Sequence, residues 1–473
     1  MRLIFSRCHY RLMALATIAA CFLPTISRAQ MTLPADVTRK IDDATRAALA
    51  GTGVPSASVA VVKDGQIAYV QAYGDARLQP RVPARPDMRY SVGSVSKQFT
   101  ATAILMLQEE GKLSLDDRVA KFLPDLTRAK EVTIRQLLSH TSGYQDYWPQ
   151  DYLPGFMLQP MTTGKIMELW AEKPLDFEPG TKWQYSNTNY VIAGAIVEKA
   201  SGEKLLQFLN HRIFVPLGMK SVTNIDQEEL GTTDPAGYMR YALGPLRIAP
   251  KEGKGWLFAA GELAMTASDL AKWDVSIIAQ TLLHASSYKE FETEVVLTSG
   301  LGTDYGLGVD VTSEMGHRAI AHSGEVSGFT AQNLVYPDDR AAIVVLTNQD
   351  AARASAAVAD AIAPLLLATV DSKASPQLEQ ARTIFAGLQR GAINRSLFTD
   401  NANSYFTETA LKDFAASLSA LGIAREFTEI NQELRGGMTL RAYRVKFPDK
   451  TLRVWTFEMP DGKLEQFQVA AME

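Results

Sequence analysis

Three short clusters in this sequence combine residue types that could carry out acyl transfer. The first is Ser94-Val95-Ser96-Lys97, preceded by Gly93 and followed by the apolar run Phe99, Ala103, Leu105 and Met106. A serine hydroxyl is a weak nucleophile and needs a base within hydrogen-bonding reach. The apolar run reads as a buried helix, which makes Ser94 and Lys97, at i and i+3, neighbours. Its N-terminus would favour negative charge on the attacking oxygen. Lys97 could serve as that base only if burial or nearby positive charge brings its pKa down from ~10.4 towards neutrality. The pattern alone is weak, because Ser201–Lys204 and Ser286–Lys289 repeat it in a Ser-Gly-Glu loop and in a polar stretch.

The second cluster is Tyr185-Ser186-Asn187, the only Tyr-x-Asn in the chain. It follows the Glu178-Pro179-Gly180 turn and precedes an apolar helix from about Tyr190 to Ala200. A tyrosine there could relay the serine proton to a leaving group, and Asn187 could donate to a substrate carbonyl. Read blandly, the tyrosine packs on the core and the asparagine caps the helix. The third cluster is His322-Ser323-Gly324 at the end of a predicted strand. A glycine there lets a substrate backbone approach closely. The backbone N–H groups of Glu325 and Ser94 could form the two halves of an oxyanion hole. The bland alternative is a surface histidine before a turn.

The elements that must position these clusters can also be read. Ala35 to Ala50 has helical periodicity. The runs Ser58–Val62 and Ile67–Val70 flank Lys63-Asp64-Gly65-Gln66, a hairpin signal. Helical patterns and Gly/Pro loops alternate from about Ser94 to Ala285. Strands return at Arg318–His322, Thr330–Tyr336 and Ala341–Thr347, and a helix from about Ala352 to Thr369 follows. Strands at both ends of a helical middle predict an α+β fold: one antiparallel sheet built from both ends of the domain, with a helical region beside it. Residues 371–376 read as a polar, Pro-containing linker. Residues 377–473 read as a small accessory α+β domain, with helical patterns at Leu378–Gln389 and Glu408–Leu421 and strands around Tyr443–Phe447, Val454–Met459 and Leu464–Val469.

Composition narrows the class. With 46% apolar and 21% charged residues over 473, the chain is an ordinary globular protein rather than a disordered or fibrous one. Arg2, Arg7 and Arg11, the apolar stretch Leu12–Leu23 and Ser27-Arg28-Ala29 read as a secretory leader, residues 1–29, so the protein is expected to be exported and periplasmic or secreted. A competing reading takes Ile18-Ala19-Ala20-Cys21 as a lipobox with a lipid anchor at Cys21. Cys8 and Cys21 are the only cysteines, so the body of the chain holds neither a disulfide framework nor a Cys-based zinc site. Losing the four leader arginines takes 48 basic residues to 44 against 52 acids, and the net charge from −4 to −8. Nucleic-acid binding therefore has no electrostatic support. No later segment reaches the ~20 apolar residues of a membrane span. No metal-ligand spacing is present and no cofactor is implied.

The order Ser-x-x-Lys, Tyr-x-Asn, then a basic residue with Ser-Gly resembles the penicillin-recognising serine hydrolases. The branch it resembles holds class C β-lactamases, D-alanyl-D-alanine carboxypeptidases, D-amino-acid peptidases and β-lactamase-like esterases. Leu137-Leu138-Ser139-His140-Thr141-Ser142-Gly143, Pro216-Leu217-Gly218-Met219, Gly261-Glu262-Leu263-Ala264-Met265-Thr266 and Tyr305-Gly306-Leu307-Gly308 share the likeness, which covers about residues 36–370. The resemblance implies a β-lactamase/transpeptidase-like domain over 30–370. It makes Ser94 the nucleophile, with Lys97 and Tyr185 sharing the base and relay work. Asn187, His322, Ser323, Gly324 and Glu325 line the substrate site, and the substrate is a small molecule or peptide. A D-amino-acid or D-Ala-D-Ala-type peptidase is expected first, an esterase or β-lactamase second, and a silent binding protein last. His322 stands where the lactamase form has lysine, and a histidine with a pKa near ~6.5 would be only partly charged. That argues against efficient β-lactam hydrolysis. Tyr144–Pro160, carrying Tyr144, Tyr147, Trp148, Tyr152 and Phe156, is expected to roof the cleft as a lid or to pack as a surface loop. His140 reads as structural.

Overall fold

The computed structural model describes residues 32–367, 376–448 and 450–472. The expected leader, 1–29, and residues 371–375 of the expected linker lie outside the described residues. Pro376 is the first residue of a helix, a position where its missing N–H has no intrahelical partner to lose.

Helix α1 (Ala35–Thr52) leads into β1 (Ser56–Lys63) and β2 (Gln66–Leu78), with β3 (Arg81–Pro83) beyond. Asp64 and Gly65, both at positive φ (52° and 75°), make the tight turn between β1 and β2. After the helical middle come β4 (Asp310–Glu314), β5 (His317–Val326), β6 (Phe329–Tyr336) and β7 (Ala341–Thr347). Strand order is β3-β2-β1-β7-β6-β5-β4. The pairing of β1 with β7, from Ala57 opposite Thr347 to Val62 opposite Ala342, is the seam where the two ends of the domain meet.

Every residue of β7 and all but the last of β1 are buried. This follows from cover on both faces. Val59, Val61, Ile343 and Val345 pack with Val358 and Ile362 of the helix Ala354–Leu366. Ala60, Val62, Val344 and Leu346 face the large core that includes Phe99, Leu270 and Trp273 of the helical region. Alternate residues thus feed two cores, which is why these strands read as continuous apolar runs rather than as alternation.

A separate four-stranded antiparallel sheet closes the chain, in the order β8 (Glu426–Arg435), β9 (Met438–Lys446), β10 (Thr451–Glu458) and β11 (Leu464–Ala471). Its cluster of Leu378, Phe385, Phe427, Tyr443, Val445 and Phe467 is its own. Strand β8 is absent from the sequence expectation, which has only three strands here. Glu426 pairs with Arg444 and Lys446, and Glu429 with Arg441, so cross-strand charges rather than apolar alternation mark it.

Two sequence expectations change. The strand expected to end at His322 runs on to Val326, so Ser323-Gly324 lies inside β5, and the turn falls at Ser327-Gly328. Ser286–Lys289, expected in a polar stretch, is part of the short helix Ala285–Phe291.

Candidate active site

From Tyr90 to Leu107 every residue but one is buried, and the exception is Ser94. A single 3₁₀ turn, Gly93–Val95, places it ahead of the buried helix α2 (Ser96–Glu109). Gly93 sits at φ 52°, and a Cβ there would come 2.7 Å from Glu325 N. A Cβ on Gly324 would come 1.9 Å from Val92 O and 3.3 Å from Ser94 N. The glycines therefore let two segments of the chain itself close on each other. The close approach expected at Gly324 is made by the Val92 carbonyl. It also brings the amides of Ser94 and Glu325 to one place. Strand β4 pairs only with residues 317–321, so the stretch of β5 from His322 onward has no strand partner on that side.

Lys97 is the second residue of α2, three residues after Ser94, and is completely buried. Its Nζ is 2.9 Å from Ser94 Oγ, 2.8 Å from Asn187 Oδ1 and 2.9 Å from the carbonyl of Ala260. Burial pulls its pKa down to about 7, against an upward pull from the Asp146 carboxylate.

Tyr185 is the second residue before the helix α3 (Asn187–Ser201). Its ring lies 4.3 Å from that of His140 and 4.9 Å from Lys97 Nζ, centre to atom in the second case. Burial drives its phenol well above the ordinary tyrosine range, and a hydrogen bond with the Ser94 side chain opposes this. The tyrosine is thus held protonated, and the lysine is the group whose pKa is brought into the neutral range. His140, expected to be structural, is buried at φ 58°, and its Nδ1 accepts from the backbone N–H of Ser186 at 3.2 Å. It supports the Tyr185 ring from below and holds the start of α3.

The structure also brings His322 to the site, on the opposite wall. Its Nδ1 faces the carbonyl of Ser323 at 2.5 Å, and its Nε2 faces the Tyr305 hydroxyl at 2.9 Å. A carbonyl can only accept, so the proton sits on Nδ1 and Tyr305 donates to Nε2. Burial, aided by Lys97, lowers its pKa to about 3. The expected partial positive charge is therefore absent: His322 is a neutral hydrogen-bonding wall. Ser323 and Glu325 are exposed at the cleft, and Glu325 accepts from Ala351 N at 2.8 Å.

Sequence reasoning missed Asp146 and Ala260. Asp146 accepts from the backbone N–H and the side-chain amide of Asn187. It lies within the aromatic insert, where the tyrosines and tryptophan drew the attention. Ala260 contributes only a carbonyl, which no side-chain pattern can signal. The insert itself walls the cleft through residues 146–153, while Tyr144 and Tyr147 are buried and hydrogen-bonded to the carbonyls of Thr127 and Trp256. The cleft encloses about 790 Å³. Among the described residues, no group of three or more His, Cys, Asp or Glu is placed to hold a metal ion.

The Beta-lactamase family model matches residues 41–367. The chain belongs to that family. This β-lactamase-family chain is 29% identical over 312 residues to penicillin-binding protein 4* of Bacillus subtilis, covering 62% of this chain and 68% of that protein. It is 30% identical over 307 residues to a D-aminopeptidase of Cereibacter sphaeroides, covering 64% and 58%. A D-aminopeptidase of Brucella anthropi matches at 29% over 299 residues, covering 62% and 56%. The chain thus spans somewhat more than half the length of these D-aminopeptidases. Among solved structures, a D-stereospecific amidohydrolase from Streptomyces superposes with a TM-score of 0.60 at 29% identity, over 69% of this chain and 98% of that one. The octameric penicillin-binding protein homologue from Pyrococcus abyssi superposes at 0.63 and 22% identity, over 92% of this chain and 96% of that one. That likeness concerns the fold, and its span is too long to stop at residue 367.

Proposed function

We propose that this protein is an exported serine hydrolase that cleaves amide bonds of D-amino-acid substrates bearing a free amine, through an acyl-enzyme on Ser94. The observation that carries the reading is the setting of Lys97. As a neutral amine it has two N–H groups and one lone pair. Asn187 Oδ1 and the Ala260 carbonyl can only accept, so they take the two N–H groups and leave the lone pair facing Ser94 Oγ. Lys97 takes the hydroxyl proton as Oγ bonds to the substrate carbonyl carbon. The amides of Ser94 and Glu325 receive the developing oxyanion. The proton passes by way of the Tyr185 hydroxyl to the leaving amine, the C–N bond breaks, and water then hydrolyses the ester.

The choice of an amine-bearing substrate rests on charge. Asp146, Asp151, Asp310, Glu325 and Asp350 line the cleft, and among the described residues no lysine or arginine lines it with them; Lys97 lies buried behind Ser94. His322 is neutral. A substrate carboxylate, as in a β-lactam or a C-terminal D-Ala-D-Ala, meets no permanent cation there, whereas an ammonium group meets several acids. Burial raises the pKa of Asp146, Glu325 and Asp350, and that of Asp310 to about 7, and a bound ammonium favours their charged form. The aminopeptidase and amidohydrolase relatives support the same choice. Export rests on the leader at residues 1–29.

The test is a parallel assay on a D-amino-acid amide, its N-acetylated form, an N-blocked D-Ala-D-Ala peptide, a p-nitrophenyl ester and nitrocefin, with Ser94→Ala as control. Turnover of the free amide well above the N-acetylated form, lost in Ser94→Ala, is the expected result. Equal rates for wild type and Ser94→Ala refute the mechanism. Faster cleavage of the carboxylate-bearing substrates refutes the substrate class.

A further inference from the structure

Between Gly237 and Lys254 a two-stranded ribbon leaves the body of the protein. Tyr238 and Met239 pair with Ile248 and Arg247. Its base is firmly held. Tyr238 N donates to Asn348 O at 3.1 Å, and the Tyr238 hydroxyl accepts from Leu78 N at 2.7 Å. Gly237 packs directly on the Ser327-Gly328 turn that ends β5. The buried Glu252 carboxylate accepts from Ser327 N at 2.8 Å. At the tip, Gly244 N bonds to Tyr241 O at 2.9 Å and closes a tight turn. The ribbon is apolar and bare: at its tip Leu243 is 96% exposed and Tyr241 70%, and Ile248, opposite Tyr238 nearer the base, is 65% exposed. No other stretch of comparable length among the described residues bares three large apolar side chains so fully.

Charge separates this ribbon from the rest of the molecule. Arg240, Arg247, Lys251 and Lys254 lie along it; Arg240 donates to the Gly53 carbonyl, and Lys251 acts on Asp226 and Glu252 only through space. Its only acid, Glu252, is turned inward on Ser327. This cluster sits on a chain whose net charge is −4. Three side chains along one short ribbon present far less than the roughly 800 Å² per partner of a stable protein interface. They do fit a shallow interfacial insertion, with aromatic and aliphatic groups entering the acyl boundary and flanking cations meeting anionic headgroups.

We infer that the 237–254 ribbon docks the protein on an anionic phospholipid surface. Leu243, Tyr241 and Ile248 enter the interface, and Arg247 and Lys251 hold the headgroups. Because the ribbon base is tied to Ser327, which lines the cleft, docking sets the cleft mouth close to the bilayer. The inference does not depend on the chemistry at Ser94.

The described residues from Thr32 onward form a single compact unit, so the chain from Thr32 can be tested without the apolar stretch Leu12–Leu23, which would bind lipid by itself. It is sedimented with phosphatidylglycerol-containing vesicles and with pure phosphatidylcholine vesicles. Retention is expected on the first and not the second, and high salt should release it. Leu243→Asp/Ile248→Asp should weaken retention by about tenfold or more, and Arg247→Glu/Lys251→Glu by at least about 25-fold, at about fivefold for each of the two cations lost. Both variants should keep the wild-type Tm and turnover of a soluble substrate. Absence of binding to anionic vesicles, equal binding to both vesicle types, or binding unchanged in both double variants overturns the inference. Concentration-dependent self-association lost in Leu243→Asp/Ile248→Asp, without vesicle binding, overturns it in favour of a second copy.

Discussion

The Asp146 carboxylate accepts from the backbone N–H of Asn187 at 2.9 Å and from its side-chain amide at 3.2 Å. This orients the amide, with nitrogen towards the carboxylate and oxygen towards Lys97. The same negative charge pulls the lysine pKa upward, against burial. Asp146→Asn should therefore let the Lys97 pKa fall further. The acid limb of kcat/KM should move to lower pH, and the plateau should drop about tenfold as Asn187 loses its charged acceptor. A pH–rate profile with the limb unmoved or shifted upward refutes this.

Lys97 also links stability to pH. Its pKa is depressed to about 7 in the fold from an ordinary 10.5. Between those values the folded chain binds fewer protons than the unfolded one. Stability therefore rises with pH across the window and is lost as pH falls through it towards 7. In Lys97→Met this slope should vanish. The difference in unfolding free energy between variant and wild type should change by a few kcal/mol on the order expected from linkage, in favour of the wild type as pH rises to 10. Denaturant melts at pH 7, 8.5 and 10, a range about the size of the linkage window, measure it. Parallel curves for the two proteins contradict it.

His322 is neutral and hydrogen-bonded to Tyr305. With a pKa of about 3, it contributes no titration near neutrality. His322→Asn should keep the shape of the activity profile around neutral pH, with kcat/KM reduced about tenfold by the altered wall. Loss of a limb near pH 6.5 in this variant would show that His322 titrates there, near the ordinary histidine value.

Gly324 admits the Val92 carbonyl at a distance no side chain tolerates. Gly324→Ala should push β5 away from the Ser94 turn and separate the two amides. An activity loss of about hundredfold or more is expected, with a lowered Tm. Wild-type kinetics would mean that the two segments are not held together as the structure has them.

His140 accepts from Ser186 N and packs against Tyr185. His140→Phe keeps a ring there and removes the acceptor, leaving a buried N–H unpaired. The expected cost is about 1–3 kcal/mol in stability, with a fall in kcat larger than any change in KM. Calorimetry and steady-state kinetics test both. An unchanged Tm would refute the supporting role.

Much of the scaffold could be read locally. Asp64-Gly65 between two β-branched runs specifies its own turn, because both residues tolerate positive φ. The runs at β6 and β7 and the helix after them are apolar enough to require burial. The order of Ser94, Lys97, Tyr185, Asn187 and His322 was legible because those side chains are of types that could carry the proposed chemistry. Strand β8 was not, since its pairing depends on arginines and a lysine in the next strand. Nor was the continuation of β5 through Ser323-Gly324, where the partner that matters is Val92.

By itself, the sequence determined which hydroxyl, amine and phenol are available for the proposed chemistry, and that strands from both ends must meet. Only the tertiary structure decided their states. Burial brings the Lys97 pKa down to about 7 and keeps Tyr185 protonated, because it penalises charge on both. His322 is uncharged because it shares that buried wall. Asp146 and the Ala260 carbonyl complete the site because chain segments far from Lys97 in sequence converge on it. Protonation and convergence depend on desolvation and distance, which arise only when the chain is packed.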